Sequence, residues 1–235
     1  MQKDMLIGLD LSFALPFVDQ RSYFPGWANS PSDARSLWQL VDELSSMDDH
    51  LAATSFVRHP EIARHFRQQG ACGELFGTGR GRLRRCEALG QGGIAGINPY
   101  SCFNLVGAAQ VGKSSLTGMR VLHRLHGAIP IWPFDPIQPS GPVIVEIYTS
   151  VAARESGVMP PGKAKITDPD TLDRALAEYG SGPHSPLTCR YTDHATDAIL
   201  TAAWMRARAM EIDLWTPRRM KTDARHTEGW TFGVV

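Results

Sequence analysis

The densest apolar run in the chain, Val143-Ile144-Val145-Glu146-Ile147-Tyr148, has the length of one β-strand and carries a carboxylate inside it. A bilayer span takes roughly 20 apolar residues, so the run predicts a core strand and Glu146 needs a partner there. A second apolar run, Leu6-Ile7-Gly8-Leu9, reads as a buried strand ending at Asp10. Helical spacing predicts helices over Asp33 to Ser46 (Ser32 as N-cap), around Glu61 to Gln69, and over Leu116 to His126, Pro169 to Tyr179 and Asp193 to Met210. Phe103 to Val106 and Ile129 to Phe134 read as further strands. Strands alternating with helices indicate an α/β fold. The length, 235 residues, suits a single domain with a long Gly- and Arg-rich insertion at about 70–98.

Charge narrows the partners. With 24 basic and 24 acidic side chains the formal charge is zero, which excludes binding to nucleic acid or membrane by bulk electrostatics and leaves only local patches. The best patch lies in the insertion, where Arg80, Arg82, Arg84 and Arg85 crowd into Gly79-Arg80-Gly81-Arg82-Leu83-Arg84-Arg85. It reads either as a phosphate-binding arm for nucleic acid or as a solvated loop. The four cysteines, Cys72, Cys86, Cys102 and Cys189, show no metal-ligand spacing. Free thiols, no membrane span and an amino terminus unlike a signal peptide point to the cytoplasm.

One motif is loud. Gly107-Ala108-Ala109-Gln110-Val111-Gly112-Lys113-Ser114 fits the phosphate-loop pattern. Backbone amides between Gly107 and Gly112 would cradle a triphosphate, with Lys113 on its outer phosphates and Ser114 on magnesium. Against it, Gly118 interrupts the following helix and no partner strand ending in Asp follows. The plain alternative is a Gly-rich turn that is tight for packing.

The carboxylates make a second constellation. Asp193 and Asp197 are four apart on a predicted helix, and their stripe continues through Leu200 and Trp204, so it faces the protein body. Inward acids repel and lose hydration unless a cation sits among them. Oxygen ligands of this kind suit Mg²⁺ or Mn²⁺. Asp10, at a strand end, is a third candidate ligand and Glu146 a fourth, less direct one. Helix capping by Asp193 and pairing of Glu146 with an arginine are the structural alternatives.

At these residues a resemblance emerges. Leu6 to Pro16, Phe103 to Met119, Ile131-Trp132-Pro133-Phe134, Val145 to Tyr148, Asp193 to Ala198 and Glu228 to Val234 follow one another as in a bacterial family of predicted ribonuclease H-like nucleases, domain-of-unknown-function family 429. The resemblance implies a mixed sheet flanked by helices. It also implies a Mg²⁺- or Mn²⁺-dependent hydrolysis of phosphodiesters, with Asp10 and Asp193 or Asp197 as metal-binding carboxylates. It implies further that Lys113 and Ser114 complete the phosphate-loop pattern by accident. Domains of this kind open with a three-stranded meander whose first strand bears a metal-binding Asp. Leu6 to Pro16 resembles the fourth strand, so the meander and its acid have no counterpart after Met1. That leaves three readings: a nuclease, active or inactive; a phosphate-loop ATP- or GTP-binding protein; and a non-enzymatic protein that associates, as a homo-oligomer, through the uncovered sheet edge.

Overall fold

The computed structural model describes residues 4–90, 99–107, 110–158, 165–187 and 190–235. The fold is mixed α/β, with ten helices, one small parallel sheet and one small antiparallel sheet among the described residues. Strand β1 (Met5–Leu9) leads through a long loop to α1 (Ala34–Leu44). Two short helices, α2 (Thr54–Arg58) and α3 (Pro60–Ala63), precede the hairpin of β2 (Arg67–Gln68) and β3 (Ala71–Cys72). Helix α4 (Arg85–Gly90) lies inside the Gly/Arg-rich stretch, and α5 (Val111–Arg124) follows it. Strand β4 (Pro142–Glu146) runs into α6 (Thr149–Glu155), α7 (Pro169–Glu178) and α8 (Asp193–Arg208). Two short helices, α9 (Ile212–Trp215) and α10 (Thr222–Thr227), complete the chain.

β1 and β4 pair in parallel, Leu6 opposite Val143 and Leu9 opposite Glu146. On the far side of β4, single bridges join Ile131 to Ile144 and Thr231 to Glu146. The segment expected as a strand at Ile129 to Phe134 therefore contributes one bridge. Phe103 to Val106 likewise makes only a bridge from Asn104 to Arg67, beside the β2–β3 hairpin and away from the parallel pair. Both segments are short, and Pro130 and Pro133 break the first. No strand pairs with the outer edge of β1 among the described residues.

Strand alternation sorts the core into two layers. Ile144 packs in one cluster with Phe13, Phe24, Trp38, Phe103 and Leu116. Val143 and Val145 pack in the other with Trp132, Leu200, Trp204, Trp230 and Phe232. Asp33 caps α1 by accepting from the Ser36 amide at 2.9 Å, one residue beyond the Ser32 expected there. Helix α5 starts at Val111, inside the phosphate-loop motif, and continues through Gly118. A Cβ on Gly112 would come within 2.1 Å of the Cys102 carbonyl oxygen, so glycine is required there for close packing. No helix among the described residues is long and apolar enough to cross a membrane.

Candidate functional site

Three elements meet at the carboxyl end of the parallel pair, the place where open α/β sheets tend to hold ligands. Asp10 follows β1, Thr149 opens α6, and Asp197 lies in the second turn of α8. Gly8 marks the close packing of α8 on β1: a Cβ there would come within 2.8 Å of the Met205 sulfur and 3.0 Å of the Ile147 methyl, and these side-chain ends would have to turn aside. The Thr149 hydroxyl reaches Asp197 Oδ2 at 3.3 Å and Asp10 Oδ2 at 3.5 Å. The Lys165 ammonium donates to Asp197 Oδ2. Lys165 is held there by its neighbour, since buried Thr196 donates its hydroxyl to the Ile166 carbonyl at 2.7 Å. The expected stripe on α8 is present, with Leu200 and Trp204 buried behind the acids. Thr192 provides the N-cap, which leaves Asp193 half exposed on the first turn.

The electrostatics match the crowding. Asp10 is exposed as a residue, but neighbouring atoms crowd its carboxyl; this partial loss of solvent, reinforced by the Asp197 charge, raises its pKa against the opposing pull of Lys165 and of the Thr149 amide and hydroxyl. Burial alone would lower the Lys165 pKa, but its hydrogen bond to Asp197 and the charges of Asp197, Asp193 and Asp10 raise it. Among the described residues, three acids thus share one lysine. The donor chemistry, two carboxylates and a hydroxyl, fits Mg²⁺ or Mn²⁺, hard cations that often take one or two carboxylates and complete their shell with water. No group of three or more histidine, cysteine or acidic side chains converges as a preformed metal site among the described residues.

Glu146 is not part of this cluster, a correction to its expected place as a fourth carboxylate. It shares the sheet face of Ile144, opposite to the face on which Gly8 and Val145 lie. There it accepts two bonds from Arg84, at 2.6 and 2.7 Å, one from the Phe13 amide at 2.8 Å and one from the Thr231 hydroxyl at 2.5 Å. Arg84 also bonds Glu87 at 2.8 Å and the Glu228 carbonyl at 3.1 Å. The carboxylate of Glu228 accepts from the amides of Phe17, Val18 and Arg85. All acceptor positions of Glu146 are spent inside the core.

The arginine patch divides in the same way. Arg84, 1% exposed, and Arg82, 8% exposed, are interior residues and cannot act as a phosphate-binding arm. Arg82 bonds Asp19 at 2.6 and 2.9 Å and caps the carbonyls of Pro16, Ser22 and Tyr23. Arg80 and Arg85 are exposed, Arg80 stacking over Tyr100 with 5.0 Å to the ring centroid.

The phosphate-loop expectation loses its context. Among the described residues no strand of the parallel sheet leads directly into Gly107, and Ala108 and Ala109 lie outside the described residues. The Gly112 amide, one of the donors the cradle needs, bonds the Asn104 carbonyl at 3.3 Å. The Ser114 hydroxyl turns back to the Val111 carbonyl at 3.0 Å.

Thr149 and Lys165 escaped sequence reasoning because a lone Thr and a lone Lys near turns carry no pattern. The same holds for Asp173, His184 and Tyr191, which form a chain of 2.6 and 2.5 Å hydrogen bonds tying the segment after α7 to that helix. Compared with known proteins, the chain matches no family model, no curated protein and no solved structure.

Proposed function

We propose that the chain is a ribonuclease H-like domain that hydrolyses phosphodiesters with Mg²⁺ or Mn²⁺, acting in the cytoplasm on nucleic acid. The observation that carries this reading is the convergence of Asp10 and Asp197, from opposite ends of the chain, on one Thr149 hydroxyl. Asp10 and Asp197 would hold the cation, and Asp193 would add negative charge one helical turn away. A bound divalent cation supplies an activated water and a clamp on the phosphate oxygens. Thr149 orients both carboxylates. Lys165 balances their charge in the resting protein and, once released from Asp197, offers a cation to an incoming phosphate. Arg85, an exposed member of the patch, would contact the backbone of a nucleic acid, with Arg80 exposed beside it over Tyr100.

The test is cleavage of single- and double-stranded DNA and RNA with Mg²⁺, Mn²⁺ or a chelator. The expected result is metal-dependent cleavage that Asp197→Asn abolishes. A wild-type rate indistinguishable from that of Asp197→Asn would sink the proposal.

A further inference from the structure

A cleft of about 820 Å³ opens away from the carboxylate cluster, between α2, β2 and the first two turns of α5. We propose that it binds a nucleoside phosphate, gripped by Arg58 and Lys113 and not wrapped by a phosphate loop. Its volume is within the range of small-molecule sites. Charge is the first argument. Arg58 and Lys113 both line the cleft, both are exposed, and neither has an ion-pair partner among the described residues. Among the described residues no aspartate or glutamate lines it. On the neighbouring segments Asp42 pairs with Arg120 and Arg124 and Asp48 with the amide and hydroxyl of Ser55, while Asp49 is exposed beside His50 without lining the cleft. In a chain of zero formal charge, a concave surface with two free cations and no carboxylate suits an anion.

Shape and chemistry narrow the anion. Val57, Leu105 and Leu116 form an apolar floor, with Leu116 and Val57 packed into the core beneath. Gln68 and Gln110 stand at the walls; the Gln68 amide donates one hydrogen to the Val57 carbonyl at 3.3 Å, which leaves its second N–H, its oxygen and the Gln110 carboxamide as donors and acceptors for a nucleobase edge. Thr117 follows Lys113 by one helical turn and lines the same wall. The wall is preformed: buried Arg120 ties α5 to Asp42 of α1 at 2.8 Å and to the carbonyl of Ala52. An inorganic phosphate would use the cations and leave the floor bare, whereas a free nucleoside would use the floor and leave the cations unpaired. A nucleoside phosphate uses both.

Titration calorimetry of the full chain with ADP, inorganic phosphate and adenosine tests the assignment. The expected outcome is submillimolar ADP binding, with phosphate and adenosine each at least about tenfold weaker. Arg58→Ala and Lys113→Ala, both surface changes, should each weaken ADP about tenfold, the loss of one charge-assisted contact. Asp197→Asn should leave ADP affinity unchanged, which separates this cleft from the carboxylate site. No ADP binding up to about 5 mM, at which affinity no useful complex forms, would overturn the proposal. So would phosphate binding as tightly as ADP, ADP affinity unaltered in both cation variants, or ADP binding lost in Asp197→Asn. Circular dichroism melts of each variant identify any loss that comes from unfolding.

Discussion

Two clusters of carboxylates and cations stand at the ends of the same two strands, and they are built on opposite principles. Behind β4, Arg84 is enclosed by Glu146, Glu87 and the Glu228 carbonyl, and almost every polar atom has a partner. In front of β1, Asp10, Asp197 and Asp193 share a single lysine that is 43% exposed on its side chain. The residue types are alike. What differs is solvent access and the balance of charge. A sealed, saturated ion pair holds three distant segments in register, whereas an open cluster with excess negative charge can exchange its cation for another. The difference separates sealed from solvent-open polarity without reference to motif.

The largest effect should come from the sealed cluster. Arg84→Met leaves Glu146 and Glu87 buried without a counter-charge, and urea unfolding should show a loss of about 3–5 kcal/mol. Arg84→Met combined with Glu146→Met should recover part of that loss, since one of the two stranded carboxylates is removed and only Glu87 remains unpaired. A loss below about 1 kcal/mol for the single variant would place Arg84 in the class of surface pairs and remove the contrast.

Gly8→Ala comes next, at about 1–3 kcal/mol, because its methyl group meets the flexible ends of the Met205 and Ile147 side chains, which must repack between β1 and α8. Repacking that shifts α8 would separate Asp197 from Asp10 and weaken Mn²⁺ binding, measurable by the free Mn²⁺ paramagnetic signal. Unchanged Mn²⁺ affinity would show that the two acids do not depend on this close crossing.

Asp10→Asn should reverse the sign. The Asp10 pKa is raised in the fold, chiefly by burial, so the folded protein resists its ionisation. That cost is absent at pH below the ordinary Asp value, grows as pH rises through the raised value, and is fully present at neutral pH. The variant should therefore melt slightly higher than wild type at pH 7 and level with it at strongly acid pH. A lower melting temperature at pH 7 would make Asp10 a structural residue like Glu146.

The smallest effect concerns thiols. Burial, with smaller opposing and reinforcing charges around it, pushes the Cys86 thiol up to about 12 and the Cys102 thiol up as well, while Cys72 is exposed. Alkylation mapped by mass spectrometry at pH 8 should label Cys72 rapidly and leave Cys86 and Cys102 unmodified in the native protein. Rapid labelling of Cys86 would mean that the region around Arg84 opens.

Much of this contrast was legible before any coordinates. The i,i+4 pair Asp193 and Asp197 with Leu200 and Trp204 behind it predicted an inward-facing stripe on α8, and the stripe is there. Asp10 after a buried run predicted a carboxylate at a strand end. The need of Glu146 for a partner was also legible, but the partner was not. Arg82 and Arg84 looked like neighbours of Arg80 and Arg85 in one basic patch, because a Gly/Arg-rich stretch has no periodicity to say which side chains turn inward. In the phosphate-loop motif, spacing alone suggested a cradle, while Gly112 is a glycine because the Cys102 carbonyl leaves no room for a Cβ.

What the sequence by itself determined is local: which stretches extend, which coil, and which residues share a face, since these follow from periods of 2.0 and 3.6 residues. Only the tertiary structure decided who meets whom. Glu146 and Asp10 stand at adjacent strand ends, yet their side chains serve opposite sheet faces, and that follows from the pairing of Leu9 with Glu146. Lys165 reaches Asp197 because Thr196 pins the carbonyl of Ile166. Such contacts depend on register and close approach between segments far apart in the chain, and no local period encodes them.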